Sequence, residues 1–180
     1  MATMVTRPAQ TWSALPDVLD YLPASLDPIR RQIIARAQGD VGLLEDPDRP
    51  NRATLVDAYL RRCGTPESMI EAGTGYWCAA WVGAVFIDCG ACVPRDYGAC
   101  GAWVPFLKPG GPTAAPELGD AILYGSEGHP SHIGIVGALR PRCVYEGNAN
   151  TNNNTTGIGV FFKPIDRGDI LGYIAPARPV

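Results

Sequence analysis

Gly75-Tyr76-Trp77-Cys78-Ala79-Ala80-Trp81-Val82 is the stretch whose reading decides how this chain folds. The glycine and the two aromatics make a turn-like approach. From Trp77 onward Trp81, Val82, Val85 and Phe86 recur at helical spacing, until Gly90 supplies a stop after Asp88 and Cys89. Cys78 therefore falls in the first turn of a helix. The unpaired N–H groups and the positive end of the helix dipole there favour thiolate over thiol, which is the electrostatic condition for a cysteine nucleophile.

A sulfur nucleophile needs a base, and the chain offers two histidines, His129 and His132. His129 sits in Gly-Ser-Glu-Gly-His-Pro, a segment that reads as a loop tip, and Glu127 beside it reads as a solvated neighbour. His132 opens His-Ile-Gly-Ile-Val-Gly, the start of a strand, and a strand end holds an imidazole at a fixed angle better than a loop does. His132 is the better base. Further on, Cys143-Val144-Tyr145-Glu146-Gly147-Asn148 reads as a strand ending in two polar groups on one face. Glu146 or Asn148 there would accept the second ring N–H of His132 and stabilise its imidazolium.

Working outward, Pro28 suits a helix start, with Ile29, Ile33, Ile34 and Ala37 on one face and Gly39 as the stop. A second helix is expected over Ala53–Cys63, ended by Gly64. From Leu118 the pattern changes to short apolar segments at Ala121–Tyr124, His132–Leu139, Cys143–Glu146, Ile158–Lys163 and Ile170–Ile174, separated by Gly, Pro, Asn and Asp. Helices come first and strands afterwards, which predicts an α+β domain with a small antiparallel sheet. The Cys78 helix would set its N-terminus beside the strands carrying His132 and Glu146. The groove at that junction is the expected site, with Tyr76, Trp77, Trp103 and Tyr124 as aromatic residues to line it and contact substrate.

At this point the chain resembles a known family. Trp-Cys-Ala-Ala-Trp-Val at 77–82, Gly-Asp at 119–120 before a strand, His-Ile-Gly-Ile-Val at 132–136 and Glu-Gly-Asn at 146–148 resemble the CHAP branch of the NlpC/P60 cysteine peptidases. Upstream the likeness takes in Asn51-Arg52 and Val56-Asp57-Ala58-Tyr59-Leu60, and downstream Leu171-Gly172-Tyr173-Ile174. The resemblance implies a papain-like fold that hydrolyses amide bonds in the peptide part of peptidoglycan. Its roles fall on Cys78, His132 and Glu146, with Asn148 as a nearby fourth member, and it requires neither metal nor cofactor. The chain departs from the family's pattern in a long Asn/Thr loop after Glu-Gly-Asn and in its six cysteines.

Composition agrees with one domain of this kind without pointing to it. A chain of 180 residues, 46% hydrophobic, is long enough to bury about 70% of its unfolded surface in one core. Net charge is −3 with both signs interspersed, so nothing suggests a nucleic-acid or lipid partner. Residues 1–28, punctuated by Pro8, Pro16, Pro23 and Pro28, read as an N-terminal arm preceding a domain over 29–180. The N-terminus lacks the apolar run of a secretory signal, so a cytoplasmic product is expected. A wall hydrolase made that way would act in the wall or periplasm after release through a phage-type membrane lesion or after injection by a contractile secretion machine. In the second case an immunity protein or a component of that machine becomes an expected partner, and a monomer is expected in both.

The other cysteines read first as buried thiols. Cys89-Gly90-Ala91-Cys92 has C-x-x-C spacing but ends a helix instead of starting one, which argues against thioredoxin-type redox chemistry. A zinc site recruiting Cys89, Cys92, Cys100 and Cys143 lacks a second C-x-x-C pair. Asn152-Asn153-Asn154-Thr155-Thr156 reads as a flexible turn. The competing functions are a cysteine-dependent toxin that cleaves or deamidates a protein, a non-catalytic wall-binding module and a zinc-stabilised interaction domain.

Overall fold

The computed structural model of the chain describes residues 22–139, 142–150, 158–165 and 168–179. Helix α1 spans Pro28–Asp40, with proline at its first position and the Asp27 carboxylate accepting from the Ile29 N–H at 2.8 Å as the cap. It buries the expected face of Ile29, Ile33, Ile34 and Ala37, and each buried isoleucine stabilises the fold by about 2 kcal/mol. Helix α2 is Thr54–Arg62, inside the predicted span, and α3 is a short turn of helix at Glu67–Glu71. Helix α4, Cys78–Asp88, is buried continuously from Cys78 to Phe86, as an all-apolar helix must be, and ends where Gly90 takes φ +76°.

Five strands follow: β1 Ala121–Ser126, β2 His129–Leu139, β3 Arg142–Asn150, β4 Ile158–Pro164 and β5 Ile170–Ile174. They form one antiparallel sheet in the order β4-β3-β2-β1-β5. Helices and sheet are segregated along the chain, so the architecture is α+β. Strand alternation divides the apolar side chains between two faces. Leu123, Ile133, Ile135, Tyr145, Val160 and Phe162 join the core shared with the helices, while Ile122, Tyr124, Val136, Val144 and Tyr173 form a smaller cluster behind.

Asp120, fully buried just before β1, ties the halves together. Its carboxylate accepts from Arg30 of α1 at 2.8 Å, from Lys108 at 2.7 Å and from the Glu117 N–H at 2.8 Å. Asp120→Ala would remove the buried carboxylate that Arg30 and Lys108 share and leave them only the exposed Glu117, 2.8 Å and 3.0 Å away, as counter-ion. The expected loss is about 3 kcal/mol, a fall in melting temperature on the order of 10 °C read by calorimetry, with Asp120→Asn costing less.

Several local expectations change. His129 is the first residue of β2, paired with Ser126 across a two-residue turn, instead of a loop tip; Gly128 at φ +78° closes that turn tightly enough for the ladder to reach it. β3 runs on to Asn150 because β4 pairs with it there. A 3₁₀ helix at Cys100–Phe106, containing Pro105, was not anticipated, since such short helices carry no long apolar period. Of the expected arm, residues 1–21 lie outside the described residues. Leu22 is buried within the main core and Pro28 already belongs to α1. The Asn/Thr segment at 152–156 is likewise outside the described residues.

Candidate active site

Cys78 is the first residue of α4, and among the described residues no side chain caps that end. The first-turn amides therefore keep their unpaired positive character beside the sulfur. What aims this helix end is the glycine of Glu-Gly-Asn. A Cβ on Gly147 would stand 2.9 Å from the Trp81 ring and 3.0 Å from that of Trp77, so only glycine lets the two indoles seat against β3. From the other side the indole N–H of Trp77 donates to Glu45 at 2.7 Å, and that of Trp81 to Asp40 at 2.9 Å. Both tryptophans are locked, and Cys78, which falls between them in the chain, is 5% exposed.

His132 lies on β2 directly opposite Tyr124 of β1, and the two rings stack with centroids 5.9 Å apart at 27°. Extending the β2–β3 register from Ile135↔Tyr145 by one residue sets Gly134 beside Glu146, which puts Glu146 diagonal to His132 on the same face. His132 Nε2 is 3.5 Å from Glu146 Oε2, and Lys163 Nζ is 3.4 Å from the same oxygen. Glu146 is almost fully buried. Three of the four register irregularities of the described sheet fall at this end, at Leu123/Tyr124, Tyr124/Gly125 and Glu146/Ala149. Such bulges bend a strand locally and re-aim its side chains.

The electrostatics follow from these contacts. A hydrogen bond from Cys100, whose sulfur is 3.8 Å from that of Cys78, holds the Cys78 thiol well below its ordinary range. Burial opposes this, while the His132 ring and the Ile133 N–H add to it. For His132, burial disfavours the charged ring, but the hydrogen bonds and charges of Cys78 and Glu146 outweigh it and raise its pKa to about 9. Burial likewise pushes the Glu146 carboxyl up, and its contacts with His132, Lys163 and Tyr124 bring it below the usual value. The result is a thiolate and imidazolium side by side, with a carboxylate behind.

The sign of the pH effect is fixed by the direction of the His132 shift. A raised imidazole pKa means that the charged ring is fully favoured below the ordinary value of 6.5 and is lost as pH rises through about 9. Cys78→Ala removes the negative charge beside it, so the His132 titration is expected to move down in pH. NMR of the two histidine rings reads this directly, and an unmoved His132 curve would show that the sulfur carries no charge.

The expected residues do not all serve one surface. Cys78, His132 and Glu146 converge, and Asn148 lies two residues along β3, its side chain outside the described residues. Tyr76, two residues before Cys78 in the chain, is 77% exposed and is open to a ligand. Trp77, Trp103 and Tyr124, expected to line a groove, are buried at 0%, 1% and 0% exposure and offer a ligand no surface. Trp103 donates to the Tyr97 carbonyl at 2.9 Å and meets the Phe86 ring edge-on at 5.7 Å, a packing role. Sequence reading missed Cys100 and Lys163. Lys163 was legible only through register, as the diagonal neighbour of Glu146 across β3–β4, and Cys100 carried no local signal at all.

Among the described residues no group of three or more His, Cys, Asp or Glu side chains is arranged to hold a metal, and no helix is long and apolar enough to cross a membrane. No protein-family model matches this chain, and the searches of curated proteins and of solved structures return no match either.

Proposed function

We propose that this protein is a peptidoglycan hydrolase of the papain-like, CHAP type that cuts an amide bond of the peptide stem or cross-bridge through Cys78, His132 and Glu146. The observation that carries the reading is the meeting of a helix-start sulfur with His132, whose far nitrogen faces a buried carboxylate at 3.5 Å. These groups come from α4, β2 and β3, in the chain order of that family's motifs.

In this mechanism the Cys78 thiolate attacks the amide carbonyl, and the oxyanion forms against the uncapped start of α4, where the Cys78 N–H is one donor. His132 gives its proton to the leaving amine, which departs with the C–N bond. The imidazole then takes a proton from water, whose oxygen attacks the thioester, and the carboxylic acid leaves as the thiolate reforms. Glu146 orients the ring throughout and steadies its positive charge, and Lys163 steadies Glu146 in turn. Tyr76, the exposed aromatic two residues before Cys78, is assigned to substrate contact.

Mass spectrometry of muropeptides after digestion of purified peptidoglycan tests this reading, because each fragment mass identifies the severed bond. New amine termini with matching fragments are the expected result. Cleavage of protein substrates with none of the wall would replace this reading with that of a protein-directed toxin.

A further inference from the structure

We propose that Cys78 and Cys100 together form an oxidation site, a dithiol that takes a hydroperoxide and is converted to a disulfide. The two sulfurs are 3.8 Å apart. That is van der Waals contact, and rotation of one side chain closes most of the gap to an S–S bond of about 2.0 Å. Cys100 is placed to make that rotation. It is partly exposed and opens the 3₁₀ helix, with extended Ala99 before it and exposed Gly101 after it. In the mechanism proposed above Cys100 forms no bond to substrate and only supports the Cys78 thiolate by hydrogen bonding, and the same contact holds a second sulfur against the first.

The remaining thiols make the pair stand out. Cys63 donates to the Leu60 carbonyl at 3.1 Å and lies 3.3 Å from the Thr65 hydroxyl. Burial holds both Cys89 and Cys143 in the thiol form, and for Cys89 the charge of Asp88 adds to it. The C-x-x-C spacing at Cys89 and Cys92, the obvious redox motif in the sequence, straddles Gly90 at the carbonyl end of α4, where the helix dipole opposes a thiolate. Cys78 sits at the opposite end with an imidazolium beside it.

The chemistry balances as follows. Cys78 thiolate attacks one peroxide oxygen, the O–O bond breaks, and the departing alkoxide or hydroxide takes a proton to leave as an alcohol or water, with Cys78 now a sulfenic acid. Cys100, losing its proton, attacks the Cys78 sulfur. The S–O bond breaks, and the hydroxide leaves with that proton as water. Two thiols are oxidised and one peroxide is reduced. The disulfide masks the nucleophile before a second peroxide carries it to sulfinic acid, and a dithiol reductant restores both thiols.

Intact and peptide mass spectrometry of the full-length protein after stoichiometric hydrogen peroxide reads this without reference to any substrate. Combined tryptic and chymotryptic cleavage separates Cys78, between Trp77 and Trp81, from Cys89 and Cys92, so the linkage is assigned directly. The wild type is expected to lose two hydrogens, show Cys78 linked to Cys100 and regain both thiols completely with dithiothreitol. Cys100→Ser is expected instead to gain one and then two oxygens at Cys78, the second of them not reversed by dithiothreitol. Sulfinic acid forming at Cys78 as fast in the wild type as in Cys100→Ser, or a disulfide joining Cys89 to Cys92 in place of this pair, would overturn the proposal. Because the readout is mass, the outcome is separate from whether the protein cuts peptidoglycan.

Discussion

Cys78→Ala is expected to lower turnover of purified peptidoglycan on the order of 10⁴-fold or more, leaving only what substrate binding and the oxyanion donors supply without the sulfur. The sulfur supplies the bond-forming electron pair, and the residues that follow it in the first turn of α4, Ala79 and Ala80, carry no nucleophile. The loss should be chemical and not structural. Cys78 is 5% exposed but contributes only one sulfur atom to a helix anchored by Trp77 and Trp81, so circular dichroism and the melting curve should stay near wild type. His132 keeps the Glu146 carboxylate 3.5 Å away as its counter-ion, so the ring is not left as an unpaired buried charge. Hydrolysis retained by a folded Cys78→Ala protein would take the nucleophile role away from this residue.

Glu146→Gln is the second large effect, with kcat expected to fall on the order of 10²-fold and the fold retained. The substitution keeps the size of the side chain and removes the charge that faces His132 Nε2 at 3.5 Å. Lys163, 3.4 Å from the same oxygen, then keeps its positive charge near the ring with no negative charge on residue 146 between them, and disfavours imidazolium further. Both changes lower the His132 pKa, so the alkaline limb of the rate profile should move to lower pH from about 9. Asn148→Ala is expected to cost less, and the opposite ranking in parallel assays would exchange the two assignments. The double variant Cys78→Ala, Glu146→Gln should be no slower than Cys78→Ala alone, because a positioning carboxylate has nothing to position once the thiolate is gone.

How much of this was readable beforehand differs from residue to residue. The α1 face, the stop at Gly90 and the start of α4 at Cys78 were legible because apolar period, proline and glycine act within a few neighbours along the chain. The β2 start was misplaced by three residues, since the turn at Gly128 tightens a hairpin that the sequence only marks as irregular. The aromatic residues went the other way. Trp77, Trp103 and Tyr124 look like ligand-stacking groups in isolation, yet the indole N–H of Trp77 finds the half-buried Glu45, that of Trp103 the Tyr97 carbonyl, and Tyr124 stacks on His132. Whether an aromatic faces water depends on what packs over it, and that is not a local property.

The sequence by itself determined the α+β class, the main helices and the five strands in their order, and which sulfur and imidazole, with Glu146 or Asn148, are the candidates for reactive character. Those follow from periodicity, helix ends and side-chain chemistry, all short-range. Only the tertiary structure decided that Cys100 rests against Cys78, that Lys163 shares the Glu146 carboxylate with His132, and that three of the expected aromatics belong to the core. The distance between side chains remote along the polymer is set by how α4 packs on the sheet and by strand register, and no short stretch of residues encodes either one.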